Sequence, residues 1–235
     1  MKNSFIILLS LVVGILVLLT TSCHKTEPMK TLAVSVLVDH TDVLELSPEK
    51  NAIYGLFHLE RKSKTNVEQG VRIRVSEISS VDFNHTEDIA IPPVNLRKIN
   101  IKERQKEINT FYDRLDKVFS SHTELKEQSQ SSIFLPVCRE AVRLSKLNDD
   151  TKLLILYTDL MEHSDWFNAY KQYTLPEEVL VKKFNEQMVL PDLTGIHMVL
   201  RYIPRNSEDN TRYRKLVSVY TKVFESKGAT ISFEF

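Results

Sequence analysis

Two apolar runs in this sequence stop on aspartate. TLAVSVLVD ends at Asp39, with Thr41 and Asp42 just behind it. KLLILYTD ends at Asp159, and Glu162, His163 and Asp165 follow in the next six residues. A third stretch, QSSIF, supplies hydroxyls at Ser131 and Ser132. Carboxylates and hydroxyls are hard oxygen donors. Gathered at one point, they suit a small cation such as Mg²⁺ or Mn²⁺, which takes oxygen ligands at about 2.1 Å and keeps several waters. A clustered set of carboxylates beside a histidine also offers a way to activate water, so a metal-assisted hydrolase using Asp39, Asp159 and His163 is the alternative chemistry.

Either chemistry requires the two aspartates to meet, and that depends on the elements carrying them. Residues 31–39 and 152–159 are continuous apolar runs of strand length, as expected for strands buried on both faces. GIHMVLRYI reads as another buried strand, and ATISFEF as a final alternating one. VRIRVSEIS alternates Val71, Ile73 and Val75 with Arg72 and Arg74, the pattern of a half-buried strand near an edge. EDIAIPPV fits an edge strand stopped by its two prolines, with residues 79–86 as the turn before it.

Helical periodicity fills the gaps. Ser47 and Pro48 suit the start of a helix whose Ile53, Leu56 and Phe57 share a face. Ile108, Phe111, Tyr112, Leu115, Val118 and Phe119 keep a helical period through a charged stretch, and KEQSQSS after it reads as loop. Further helices are expected over 134–147, over LPEEVLVKKFNEQM, and from Asp209 as a cap to an end at Gly228. The order β-α-β-β-α-α-β-α-β-α-β predicts an α/β fold. It would be doubly wound, with a mostly parallel central sheet of about six strands and helices on both faces. In such sheets ligands bind at the carboxyl ends of the strands, where both aspartates sit.

Several function classes are excluded. The chain holds 31 basic and 31 acidic residues, which gives no basic face for nucleic acid. With five glycines there is no phosphate-cradling loop and no nucleophile elbow. His40, His58, His85, His122 and His197 are scattered without zinc spacing, and a strand histidine such as His197 is expected to be satisfied within the fold. Cys138, in FLPVCREAVRL, reads as a buried thiol on a helix face. In SDWFNAY, Trp166, Phe167 and Tyr170 fit either a binding rim or a fold-back onto the core that leaves Glu162 and His163 solvated.

The first residues add a location. Lys2 precedes an apolar stretch over 5–19, the length of a signal-peptide core rather than a bilayer span. It closes on TTSC, which resembles a bacterial lipobox. That resemblance implies a signal peptide over 1–22, lipidation at Cys23, a tether over 23–30 and a domain over 31–235. An uncleaved signal anchor is the alternative. Both put the body of the protein outside the cytoplasm and tied to a cell membrane or outer membrane.

Asp39 in VLVDHTDV, Ser131 in QSSIFLPV and the Thr158-Asp159 pair in LILYTDLMEHS together resemble the von Willebrand factor A (vWA) family. Its fold is Rossmann-like, and its metal-ion-dependent adhesion site has the pattern Asp-x-Ser-x-Ser after the first strand. The resemblance implies a Mg-type ion held by Asp39, Thr41, Ser131 and Asp159, with Asp42, Ser132, Glu162 and His163 as further candidates. A carboxylate of a protein partner would complete it, and no catalytic residues are implied. Thr41 keeps the hydroxyl of the first Ser, whereas Val43 lacks that of the second, and Leu160 stands where the family has Gly. A weakened site is therefore expected. A structural lipoprotein with no ligand is the limit of that weakening.

Overall fold

The computed structural model describes residues 30–39, 50–61, 66–78, 85–95, 97–120, 131–202 and 207–234. Six strands form one sheet: β1 (Thr31–Asp39), β2 (Gly70–Ile78), β3 (Thr86–Ile91), β4 (Thr151–Tyr157), β5 (Ile196–Arg201) and β6 (Thr230–Glu234). Their order is β3-β2-β1-β4-β5-β6, parallel throughout except for the β2–β3 pair. The expected doubly wound α/β fold is the fold observed. Among the described residues six helices connect the strands: α1 (Lys50–Gly55), α2 (Ile101–Ser120), α3 (Phe134–Ser145), α4 (Ala169–Gln172), α5 (Glu177–Gln187) and α6 (Ser207–Glu225).

β1 lies at the centre because its side chains are apolar on both faces. Leu32, Val34, Val36 and Val38 pack under α1 and α2. Ala33 and Leu37 pack under α3, α5 and α6. Away from the centre each face loses its cover, and the sequence changes with it. On β2 and β3 the face beyond α3 carries charge. Arg74 pairs with Asp88 at 2.6 Å and with Glu140 of α3 at 3.2 Å. Toward the other edge, β5 is buried only at Ile196, Met198 and Leu200, and His197, Val199 and Arg201 are half-buried. The expectation of burial on both faces fails there because the described helices cover one side. His197 is satisfied on the open side by hydroxyls of β6, with Thr230 at 2.9 Å and Ser232 at 3.0 Å.

The helices differ from expectation in detail. α4 is an additional short helix, capped by Asn168, whose side chain accepts from the Lys171 amide at 3.2 Å. Asp209 lies within the first turn of α6, where it accepts from Arg212 at 2.9 Å. Gly228 has φ +89°, a conformation that lets a glycine close a helix without a Cβ clash. Ser47, Pro48, most of the proposed turn over 79–86, most of the loop before Ser131 and the amino-terminal segment before Lys30 lie outside the described residues.

The amino end of α2 is fixed by one buried side chain. Arg104 is fully buried, and its guanidinium donates to the carbonyls of Val67, Gln69 and Pro92, each at 2.8 Å. It also donates to Glu107 at 3.0 Å. It thereby ties the chain entering β2 to the chain leaving β3. Replacing Arg104 with alanine strands three carbonyls away from water. We expect a loss of about 3–5 kcal/mol in unfolding free energy, read from urea denaturation. A loss below about 1 kcal/mol would mean that the clamp does not hold these segments together.

Candidate functional site at the carboxyl end of the sheet

Strand order places the first and fourth strands side by side and parallel. In their register Val38 lies opposite Tyr157, which sets Asp39 level with Thr158 one step further on. β1 continues toward β2 and β4 toward β5, so the strand order reverses between them. That is where the carboxyl edge of a doubly wound sheet opens a crevice. Asp39 is 3 % exposed, Asp159 4 % and Glu162 1 %, so three carboxylates are buried at this end.

Each has partners in the fold. The Thr158 hydroxyl donates to Asp39 Oδ2 at 2.6 Å and accepts from the Leu160 amide at 2.9 Å. Asp159 Oδ1 accepts from the Met161 amide at 2.8 Å. The turn between them is tight, with Leu160 at φ 60°. For a side chain other than glycine, asparagine or aspartate this left-handed conformation costs about 1–2 kcal/mol. The Leu160 side chain is buried in the core beneath, and the Glu162 amide donates to its carbonyl at 2.8 Å. Leu160 therefore holds this turn as backbone strain, kept in place by packing.

Glu162 closes a gap that the local sequence leaves open. Ile133 stands at the N-cap of α3 and offers no side-chain oxygen. The Glu162 carboxylate serves instead, accepting from the Phe134 amide at 2.9 Å and from the Ser164 hydroxyl at 2.7 Å. An anion at this position also meets the positive end of the helix. Burial nevertheless pushes its pKa up, against the lowering by the Phe134 amide, Ser164, the Ile133 amide and Trp166.

Ser131 and His163 form a two-residue antiparallel bridge, their backbones exchanging hydrogen bonds at 2.9 Å in both directions. The loop before α3 is thus held against the segment that follows Asp159. Ser131 is 6 % exposed and Ser132 4 %, and neither hydroxyl has a hydrogen-bond partner among the described residues. Buried hydroxyls without partners are uncommon in folded proteins. The Tyr220 phenol of α6 is also buried, and its pKa is pushed up by burial, with Glu162, Cys138 and Asp39 adding to the rise. Burial likewise pushes up the Cys138 thiol, helped by Glu162.

Among the sequence candidates, Asp39, Asp159, Glu162, His163, Ser131 and Ser132 all lie at this one end. Thr41, Asp42 and the lipidation candidate Cys23 lie outside the described residues. Glu162 is buried rather than solvated, whereas His163 is exposed. Phe167 is buried and Trp166 packs inward on Phe134, Phe167 and Phe184, leaving Tyr170 as the exposed ring, at 41 %. Thr158 as the direct partner of Asp39 and Tyr220 as a buried neighbour escaped the sequence reading. The first was legible as the hydroxyl before Asp159, while the second was hidden in the apolar stripe of α6. Among the described residues no three His, Cys, Asp or Glu side chains form a metal-binding group, and no helix is long and apolar enough to cross a membrane. Compared with models of known protein families the chain matches none, and among curated proteins none matches it either.

The raised pKa of Glu162 carries a sign. A carboxylate whose folded pKa lies above its unfolded value favours folding in its protonated form. Its contribution is fully present below the unfolded pKa and is lost as pH rises through the folded one. Glu162→Gln keeps an acceptor for the Phe134 amide and removes the titration. Urea midpoints in EDTA should therefore show the wild type losing ground to Glu162→Gln as pH rises above the ordinary glutamate range. A difference that stays constant with pH would show that Glu162 does not titrate with folding.

Proposed function

We propose that this chain is a membrane-anchored, extracytoplasmic protein-binding module similar to a vWA domain, and that its carboxyl edge takes a weakly held Mg²⁺-type ion. One observation carries the reading: two buried aspartates end neighbouring parallel strands beside two buried serine hydroxyls that have no partner among the described residues. A hydroxyl sealed from water without a partner costs roughly 1–3 kcal/mol, a cost that a bound ion would remove. The donor chemistry fits, because every candidate is a hard oxygen and a hard cation prefers such ligands. Asp39, Ser131 and Asp159 would hold the ion together with Thr41, and Asp42 is available where Val43 lacks a hydroxyl. When bound, the ion would supply a positive centre for a carboxylate of the partner. The protein's own residues bury and orient the donors, and the strained turn at Leu160 keeps Asp159 at the edge.

The anchor in this proposal comes from the TTSC motif after the apolar stretch over 5–19. Binding of a partner is favoured over hydrolysis because His163 is exposed while the three carboxylates are buried with partners in the fold.

Titration calorimetry of the whole chain with Mg²⁺ and with Mn²⁺ tests the site. Heat is expected with the wild type and none with Asp39→Ala. Ser131→Ala is the sharper variant. In EDTA it should be as stable as the wild type or more so, since it deletes an unpartnered hydroxyl, while its affinity for Mn²⁺ should fall by about tenfold or more, some 1.4 kcal/mol. No heat at millimolar metal, or equal affinity in Ser131→Ala, would contradict the reading.

A further inference from the structure

The two edges of the sheet are built differently. β3 forms one of them. Glu87 and Asp88 put charge along it, and Pro92 and Pro93 follow it directly. Arg114 reaches over from α2 and donates to the Asp88 carbonyl at 3.3 Å. Charge, proline and a covering element are the means by which proteins keep an edge strand from pairing with another chain. β6, TISFE, forms the other edge and contains neither lysine nor proline. Its one charged residue, Glu234, stands at its end. Thr230 is exposed, Ile231 and Ser232 are half-buried, and Phe233 is 39 % exposed. Among the described residues no strand lies beyond β6, so it presents a row of backbone N–H and C=O groups that the sheet does not pair.

We infer that β6 pairs, antiparallel, with β6 of a second copy of this chain, joining the two sheets edge to edge. The strand is complementary to itself. A two-fold axis normal to the sheet at Ser232 sets Thr230 opposite Glu234, Ile231 opposite Phe233, and Ser232 opposite its own counterpart. Alternation puts Ile231 and Phe233 on one face of the strand, the face on which Ile231 packs against the core. The pairing therefore makes two apolar cross-strand pairs and takes Phe233 out of water. Glu234 falls opposite Thr230, so no charged residue meets its own copy. Moving the axis to Ile231 would leave Phe233 and Glu234 beyond the partner strand, and moving it to Phe233 would leave Thr230 and Ile231 there. Because the contact uses the same strand on both copies it closes at two, and the guarded β3 edge stops further growth.

Sedimentation velocity of the whole chain in non-ionic detergent, from about 10 µM to about 500 µM, should show monomer passing to dimer and nothing larger. Ser232→Cys reads the register. Residues facing each other across an antiparallel ladder have Cα atoms about 4.5–5.5 Å apart, a span that a disulfide can bridge. Under mild oxidation Ser232→Cys should form a covalent dimer, linked through position 232 in peptide mass spectrometry. It should form about tenfold faster or more than with Lys171→Cys, an exposed site on α4. Adding Phe233→Lys to Ser232→Cys sets a lysine against Ile231 twice and should slow the link about tenfold, with the circular dichroism spectrum unchanged. A wild type that stays monomeric throughout, or one that assembles beyond two copies, overturns the inference. So does a Ser232→Cys link that forms no faster than that of Lys171→Cys, or one that Phe233→Lys leaves untouched.

Discussion

A carboxylate taken out of water must find donors, and Asp39 finds one on the neighbouring strand. Its hydrogen bond from Thr158 at 2.6 Å crosses from the end of β1 to the end of β4. The bond depends on the whole frame. β1 must be buried on both faces to lie at the centre, β4 must run parallel to it, and the register must bring Val38 opposite Tyr157. A slip of one residue would turn Asp39 to the other face and leave it unpaired. The rest of the site follows from this contact. Thr158 also receives the Leu160 amide, which sets the strained turn, and that turn aims Glu162 back at α3.

Three buried carboxylates at one strand end form an unusual composition for an interior. Like charges in a low-dielectric region repel strongly, and each must be compensated by hydrogen bonds, a proton or a cation. Here the compensation is uneven. Glu162 gains helix amides and still has a raised pKa, while Ser131 and Ser132 bury hydroxyls that find no partner among the described residues. This incomplete satisfaction motivates the proposed ion. At the opposite end, carboxylates such as Asp149, Asp150 and Asp192 are engaged by arginine, backbone and hydroxyl groups at the surface. The two ends of strands roughly 30 Å long thus carry different electrostatic tasks.

The frame was largely legible because it rests on periodicity. Continuous apolar runs marked β1 and β4, the alternation of Val and Arg marked β2, and the prolines after Ile91 marked the end of an edge strand. Sequence reasoning failed where burial depends on what covers a face. β5 reads as a buried strand in GIHMVLRYI, yet one of its sides is open because no described helix covers it. It also failed where one residue serves another far away. Nothing near Ile133 predicts that its helix is capped by Glu162, and nothing in the stripe of α6 separates Tyr220 from its purely apolar neighbours. The two aspartates were found because each interrupts an apolar run, a signal visible without coordinates. Their partners were harder to see, since Thr158 shows its role only when two distant strands are set in register.

The contact between the tips of β1 and β4 is best tested by a double-mutant cycle. Asp39→Ala, Thr158→Val and the double variant would be unfolded in urea in the presence of EDTA, and the coupling energy taken from the four stabilities. A buried, charge-assisted hydrogen bond predicts a coupling of about 1.5–3 kcal/mol. Additive effects, with a coupling within about 0.3 kcal/mol of zero, would contradict the meeting of Asp39 and Thr158 and with it the site built upon them.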